Sequence, residues 1–213
     1  MEQQGPPFWS VPAAEVLTRL QTASQGLSSA EAVARIVGAS VGGPCRVLDI
    51  AAGHGLFGIT IARHNPQAEI VALDWASVLE VAKENAHKAG IESRYSTIAG
   101  SAFEADFGDG YDIVLLTNFL HHFDSATNVR LLSKCRKSLK PGGRAAVLEF
   151  VPNEDRITPP FPAAFSMTML EGTPSGDAYT LRELTQMALA AGYRNVQSHP
   201  LEYHPETVLV FEN

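Results

Sequence analysis

The chain has 213 residues, of which 45% are hydrophobic, and a formal net charge of −7 at pH 7. This acidic balance argues against nucleic acid as a partner, because affinity for phosphate backbones depends on Lys and Arg contacts. No apolar run approaches the roughly 20 residues needed to cross a bilayer, and the N-terminus lacks the basic start and apolar stretch of a signal peptide. We therefore expect a cytoplasmic protein with one globular domain of ordinary size and no membrane partner.

The N-terminal segment, residues 1–43, differs in character from the rest of the chain. Apolar residues at helical spacing within 16–20 predict one short helix, and a capping box formed by Ser28 and Glu31 predicts the start of a second. A glycine-rich stretch, 38–44, is expected to act as a linker. Two short amphipathic helices cannot build a core alone, so we expect them to pack on the main domain or on a partner.

Strand and helix patterns alternate over residues 44–213, which predicts a doubly wound α/β domain. Continuous apolar strands with helical crossovers indicate a parallel sheet covered on both faces, and the last two strand patterns have hairpin spacing. The predicted strands are 45–50, 69–73, 94–98, 111–116, 145–150, 195–199 and 207–212, and the predicted helical stretches are 57–64, 78–89, 126–139, 161–170 and 181–191.

Both cysteines fall within these predicted elements. Cys45 opens the first strand and Cys135 lies in a helix, and the pair lacks metal-ligand spacing. We therefore expect two buried thiols in a reducing compartment and no metal site.

A glycine-rich turn after the first strand carries the first functional signal. Gly53, Gly55 and Gly58 form a G-x-G-x-x-G pattern between a strand and a helix, the context that a nucleotide-binding turn requires. Asp74 ends the next strand about 20 residues beyond Gly53, where a carboxylate can accept ribose hydroxyls. On these residues alone, the cofactor could be a nicotinamide dinucleotide or S-adenosylmethionine.

Three features of residues 44–213 resemble class I S-adenosylmethionine-dependent methyltransferases. Asp49 stands shortly before the glycines, Ser138-Leu-Lys-Pro-Gly-Gly-Arg144 resembles the turn that feeds their fifth strand, and the final hairpin completes their sheet. The resemblance implies a Rossmann-like, seven-stranded, mostly parallel sheet with a C-terminal antiparallel hairpin, and S-adenosylmethionine as the cofactor. The cofactor-binding residues that it implies are Asp49, Ala51, Gly53, Gly55, Asp74, Trp75, Ser101, Ala102, Phe103 and Asn118. For Trp75, at a strand end, core packing is as compatible with the sequence as stacking on an adenine.

The segment Thr117-Asn-Phe-Leu-His-His-Phe-Asp124 resembles the Leu-His-Asp-Trp segment of small-molecule O-methyltransferases, which include plant caffeate and bacterial polyketide enzymes. In that family the first histidine is the general base, and it matches His121. An acid that orients the histidine matches Glu149. The resemblance therefore implies catalysis by these two residues and a small hydroxylated substrate, aromatic or polyketide-like.

The chain departs from that family's pattern at three positions. His122 replaces the usual Asp, and Ser101 replaces the Asp of the adenine-side motif. Ala178 falls where plant members carry a second flanking acid, a role for which Asp177 is a weak substitute.

The proposed residue types suit methyl transfer to oxygen. The acceptor hydroxyl must lose its proton, and a histidine with an ordinary pKa near 6.5 can accept it at neutral pH. A carboxylate that is hydrogen-bonded to the other ring nitrogen fixes which nitrogen of the imidazole carries the proton. Alternatively, Glu149 caps a nearby helix or faces solvent, and His121 is structural. One candidate for the apolar wall of the acceptor pocket consists of Phe161, Phe165, Met167 and Met169. An ordinary core helix explains the same four residues nearly as well.

Several functional alternatives remain open at this level. A nicotinamide-dependent oxidoreductase would use the same glycine turn. The O-methyltransferase family generally carries a longer N-terminal helical domain that dimerises and closes over the acceptor, so a shortened protein that binds cofactor with little activity is a further alternative, and a homodimer is in doubt. Residues 6–37 resemble the N-terminal helical module of cation-transporting P-type ATPases, a likeness that carries no function here.

Overall fold

The computed structural model describes residues 27–39, 42–202 and 204–213. The predicted helix within 16–20 lies outside these residues. The helices are α1 (Ser29–Ile36), α2 (Leu56–His64), α3 (Ala76–Lys88), α4 (Ser125–Ser138), α5 (Pro160–Gly172) and α6 (Leu181–Ala190), with short 3-10 turns at Glu92–Arg94 and Leu120–His122. The strands are β1 (Cys45–Ile50), β2 (Ala68–Asp74), β3 (Tyr95–Ala99), β4 (Tyr111–Thr117), β5 (Leu139–Glu149), β6 (Asn195–Pro200) and β7 (Thr207–Glu212).

The seven strands form one sheet in the order β3-β2-β1-β4-β5-β7-β6. Strands β1 to β5 pair in parallel, whereas β7 is antiparallel to both β5 and β6. The predicted fold, with its C-terminal antiparallel hairpin, is confirmed. The strand order reverses between β1 and β4, so the crevice for a ligand is expected at the carboxyl ends of these strands.

Helices cover both faces of the sheet because the strands are apolar on both sides. On one face, Leu48 of β1 packs in a cluster with Leu132 of α4 and Leu184 of α6. On the other face, Val47 packs with Ile59 of α2. Successive side chains of a strand point to opposite faces, so Asp49, two residues after Val47, faces the α2 side.

Helix α1 belongs to the second of these clusters. Its capping box is present, with Ser28 and Glu31 bonded reciprocally. Val33 and Ala34 are fully buried in the same cluster as Ile59. The expectation that the second N-terminal helix packs on the main domain is therefore confirmed.

Two expectations about local structure are corrected. Strand β5 begins at Leu139, so the glycine-rich turn lies inside the strand as an irregularity between the Tyr111–Leu139 and Ile113–Arg144 pairs. Gly143 permits this close approach, because a Cβ there would lie 2.8 Å from the Tyr111 carbonyl oxygen. The second correction concerns the thiols: Cys135 is buried, but Cys45, at the start of its strand, is only half-buried.

No helix in the described part of the chain combines the length and apolarity required to span a bilayer.

Candidate active site

The glycine turn joins β1 to α2 through left-handed backbone. Ala51, Gly53 and Gly55 have φ values of 54°, 57° and 84°. Gly55 caps α2, and a Cβ there would lie 2.7 Å from the Tyr95 hydroxyl oxygen. A Cβ at Gly53 would instead project into open space. The turn therefore needs Gly55 for packing, while Gly53 leaves the backbone open to close approach by a ligand.

Asp74 is fixed at the mouth of this turn. Its Oδ2 accepts a hydrogen bond from the Gly53 amide at 2.9 Å, and its Oδ1 accepts one from the Trp75 amide at 2.7 Å. A carboxylate offers about four acceptor positions, so two remain for ligand hydroxyls. The predicted ribose-binding acid is thereby held in a defined orientation.

A pocket of about 370 Å³ opens beside Asp74. Trp75 stands at its rim with 61% of its surface exposed, so it is not a core packing residue. Phe103 contacts Phe123 edge to face, with ring centroids 5.0 Å apart. Six of the predicted cofactor residues line this pocket, namely Ala51, Asp74, Trp75, Ser101, Ala102 and Phe103, together with Leu73, Gly100, Phe119 and Phe123, which sequence reasoning missed.

Asp49 lies beneath the turn and does not line this pocket. It is 0% exposed, and its Oδ2 accepts a hydrogen bond from the Gly58 amide at 3.0 Å. Its Oδ1 has no hydrogen-bond partner among the residues that the structure describes. Burial raises the pKa of Asp49 to about 7, the Gly58 amide opposes this, and the charge of Asp74 adds to it. In this structure Asp49 supports the turn from below.

His121 and Glu149 form a buried pair at the adjacent strand ends. The Nδ1 atom of His121 lies 2.6 Å from Oε2 of Glu149, and the two residues are 5% and 3% exposed. The other oxygen, Oε1, accepts hydrogen bonds from the amides of Phe119, Leu120 and His121 at 3.0, 2.8 and 3.3 Å. Glu149 therefore caps the 3-10 turn and contacts the imidazole at the same time, combining two roles that the sequence left as alternatives.

Aromatic rings surround the imidazole. The Phe165 ring lies edge-on to His121 at 4.9 Å between centroids, and Phe150 bridges Phe165 and Phe161. The His122 ring lies 4.3 Å away. Burial lowers the pKa of His122 and the neighbouring His121 lowers it further, which favours a neutral ring at pH 7.

The expected acceptor wall is only partly assembled around this imidazole. Phe165 contacts it directly, while Phe161 reaches it through Phe150 and is 56% exposed. Met169 is buried, and Met167 is exposed. Helix α5 therefore presents Phe161 and Phe165 towards the site, with its two methionines in different environments.

Asn118 follows β4 in a left-handed conformation, with φ 53°. Its side-chain amide donates to Glu206 Oε1 at 3.0 Å, which links it to the loop between β6 and β7, and it does not line the Asp74 pocket. Asp177 donates its backbone amide to the His121 carbonyl at 3.0 Å, while its carboxylate pairs with Arg156. Asp177 thus touches the histidine turn through its backbone.

Two further supports of the site have no local sequence signal. Gly176 lies so close to the turn that a Cβ would come within 2.2 Å of the His121 carbonyl oxygen. Lys134 of α4 donates to the carbonyls of Ala102 and Ala105 at 3.0 and 2.6 Å, which holds the pocket loop. Both contacts join segments that are distant in sequence.

No group of three or more potential metal ligands occurs in the described ranges.

Comparison with known proteins places this chain in a family. Residues 12–194 match the model of the O-methyltransferase domain. The chain is 33% identical over 167 residues to 3-hydroxy-5-methyl-1-naphthoate 3-O-methyltransferase of Streptomyces sahachiroi, covering 78% of this chain and 48% of that protein. The chain thus spans about half the length of this relative.

Solved structures agree with this match. A crystal structure of a candidate O-methyltransferase from Nostoc punctiforme PCC 73102 has 54% identity and a TM-score of 0.83, over 86% of this chain and 55% of that one. PigF, solved with SAH, has 26% identity and a TM-score of 0.71, over 79% of this chain and 50% of its own. The chain described here belongs to the O-methyltransferase domain family.

Proposed function

We propose that this protein is an S-adenosylmethionine-dependent O-methyltransferase that acts on a small aromatic hydroxylated metabolite, with His121 as the general base. The observation that carries the proposal is the buried contact between His121 Nδ1 and Glu149, at the sheet edge that also holds the Asp74 pocket. Among the described residues, 44–213 supply the side chains that line the Asp74 pocket and contact His121. We infer that this range is the catalytic domain and that residues 1–43 are an N-terminal helical segment.

The pocket residues fit S-adenosylmethionine. Gly53 leaves space for a ligand against the backbone, Asp74 is oriented to accept ribose hydroxyls, and Trp75 and Phe103 offer aromatic surfaces for an adenine. When bound, this cofactor supplies a methyl group on a sulfonium, which is already an excellent leaving group. Methyltransferases of the matched family use this cofactor, which favours it over the nicotinamide alternative.

The role proposed for His121 is to remove the acceptor proton. A phenol with a pKa near 10 is ionised in only about one molecule in a thousand at pH 7. Because Nδ1 donates its proton to the Glu149 carboxylate, the lone pair that takes the proton of the acceptor hydroxyl is on Nε2. The carboxylate then favours the imidazolium that forms. A positioned base of this kind contributes roughly 10²- to 10⁴-fold to the rate.

The surroundings of His121 favour a flat, aromatic acceptor. Phe150, Phe161 and Phe165 form connected ring contacts beside the imidazole. Residues 157–170 contain no charged side chain. The naphthoate named for the Streptomyces relative is a fused aromatic ring with a hydroxyl, which supports this class of acceptor.

Calorimetry with S-adenosylmethionine and S-adenosylhomocysteine tests the cofactor assignment. We expect the wild type to bind both, and Asp74→Ala to weaken S-adenosylhomocysteine about 100-fold, since two hydrogen bonds to a charged group are lost. Glu80→Ala, an exposed acid of α3, serves as the control. A folded wild type that binds neither ligand contradicts the proposal.

A methyl-transfer screen separates an active enzyme from the shortened-protein alternative. The screen uses labelled cofactor with naphthols, hydroxynaphthoates and polyketide-like phenols. Cofactor binding together with transfer to one acceptor class supports the enzyme. Cofactor binding without transfer to any of them supports a binding protein of the same fold.

A further inference from the structure

One acid in the loop between β6 and β7 connects the N-terminal helix to the histidine turn. Glu206 Oε1 accepts a hydrogen bond from the Asn118 side chain at 3.0 Å, and its Oε2 accepts one from the Ser29 hydroxyl at 2.6 Å. Ser29 is the first residue of α1, and Asn118 is the residue that follows β4. Three segments that are far apart in sequence therefore meet at one carboxylate.

The conformation of Asn118 requires such support. Its φ of 53° is left-handed, a conformation that Asn tolerates better than most residues but that persists only where the surroundings hold it. Its backbone amide donates to the Leu148 carbonyl of β5 at 2.8 Å, which fixes one side of the residue. The contact with Glu206 fixes the side chain.

The direction that the chain takes after Asn118 decides whether the histidine turn can form. The next three residues direct their amides at Glu149 Oε1, and the third of them is His121. Glu149 is also the β5 residue paired with Thr207, which directly follows Glu206. The two glutamates thus act at neighbouring points of one sheet edge.

The same loop holds the N-terminal helix by a second contact. The Nε2 atom of His204 lies 3.0 Å from the Leu27 carbonyl oxygen, and the Leu201 amide donates to the Glu206 carbonyl at 3.1 Å. The loop is therefore closed on itself, and it holds α1 through Ser29 and through Leu27, two residues before the helix begins. Release of Glu206 would loosen both the helix and Asn118.

We propose that Glu206 is a positioning residue, which fixes Asn118, and through it the turn carrying His121, against the N-terminal helix. Only the kinetic effect expected of this role rests on the proposed function; the effect on the position of His121 does not. The role makes the β6–β7 loop, which also holds α1 through Ser29, part of the arrangement that positions His121.

The test compares Glu206→Met, Glu206→Gln and Ser29→Ala with Glu202→Ala, an exposed acid in the same loop. Met keeps the length of the side chain but cannot accept the Asn118 hydrogen bond. Gln can still accept from Asn118 through its oxygen and can donate to Ser29 through its amide. Ser29→Ala removes only the helix contact.

Two measurements do not depend on activity. The first is the nuclear magnetic resonance signal of the proton between His121 and Glu149, recorded in ¹⁵N-histidine-labelled protein. The second is hydrogen exchange of the α1 amides. We expect Glu206→Met to shift or broaden the imidazole signal and to speed α1 exchange, while Glu206→Gln and Glu202→Ala match the wild type. Ser29→Ala should speed α1 exchange and leave the imidazole signal nearly unchanged.

Kinetics with any acceptor identified for the wild type provide the third readout. A small misplacement of a base can cost up to about 100-fold in rate, so Glu206→Met should lower kcat by about 10- to 100-fold. The acceptor KM should change little, and Glu206→Gln should restore the rate. A change in the pH profile of kcat should accompany this loss, which a purely structural role would not produce.

The outcomes separate this inference from the proposed function. A folded Glu206→Met protein with wild-type imidazole signal and kcat overturns the inference and leaves the methyltransferase intact. A wild type that neither binds cofactor nor transfers methyl contradicts the proposed function, while the imidazole and exchange measurements still test Glu206. If Glu206→Met does not fold, an altered imidazole signal in Glu206→Gln contradicts the role assigned to the Asn118 contact.

Discussion

Replacement of Glu149 by Gln removes the negative charge of the side chain while keeping its size and most of its hydrogen bonds. The carboxylate accepts three backbone amides on Oε1 and faces His121 Nδ1 with Oε2. Gln can keep the three amide contacts on its oxygen, but its NH₂ group then faces Nδ1. The imidazole must accept that hydrogen bond, so its own proton moves to Nε2 and the lone pair for the acceptor proton is lost.

The expected rate loss is large and the expected stability loss is modest. A histidine held in the wrong tautomer loses about 10⁴-fold in kcat in a comparable triad, and loss of general-base catalysis alone is worth roughly 10²- to 10⁴-fold. Unfolding free energy should fall by only about 2 kcal/mol, because the four contacts of the carboxylate lose its charge, while a neutral amide costs less to bury and offsets part of that loss. S-adenosylhomocysteine affinity should hold within about threefold, or about 0.6 kcal/mol, because Glu149 does not line the Asp74 pocket.

The assay measures labelled methyl transfer at saturating acceptor, S-adenosylhomocysteine binding by calorimetry, and urea unfolding on the same preparations. Glu69→Gln, an exposed acid of β2, is the matched control and should behave as wild type in all three. A folded Glu149→Gln protein that retains kcat within about threefold of the wild type refutes the reasoning. If Glu149→Gln loses both activity and S-adenosylhomocysteine affinity, the substitution has instead disrupted the whole site.

Three further predictions follow from neighbouring contacts. Gly176→Ala should lower kcat, and destabilise the fold by about 1–3 kcal/mol, because the added methyl overlaps the His121 carbonyl; urea unfolding and kinetics check this. Lys134→Met should weaken S-adenosylhomocysteine binding several-fold without affecting the imidazole signal, since the loop carbonyl of Ala102 loses its donor; calorimetry checks this. Asp49 has a native pKa raised by burial to about 7 against 3.8 for the free group. The native state therefore binds more protons, and its stability should fall by up to about 4 kcal/mol as pH rises from about 4 to 7. Asp49→Asn should flatten this dependence in urea unfolding of the cofactor-free protein at pH 5 and 8, and an unchanged pH dependence would count against a raised native pKa.

The central strands were predictable because their apolar runs are short, lie between turn signals and alternate with helical patterns, which favours buried parallel strands. The start of β5 was not, because residues 140–143 have the composition of a turn. Only the pairing of Leu139 and Arg144 with β4, on either side of them, shows that the strand continues through this stretch. The cysteine assignment failed for a similar reason, since the exposure of Cys45 depends on the neighbours of its strand end.

Prediction of the site depended on whether the signal was local. The glycine turn and Asp74 lie close in sequence, and the structure brings them into direct contact. The His121–Glu149 contact was expected from the family resemblance rather than from spacing. Glu206 was not predictable, because its two partners lie 88 and 177 residues away and no pattern in the chain marks them.

Transfer of a labelled methyl group to phenolic acceptors by wild type and by His121→Ala, with S-adenosylhomocysteine affinity measured on the same samples, tests the central claim most directly. We expect transfer by the wild type, a loss of roughly 10²- to 10⁴-fold in kcat for His121→Ala, and nearly equal S-adenosylhomocysteine affinities for the two proteins. A His121→Ala protein that transfers methyl at the wild-type rate would contradict it.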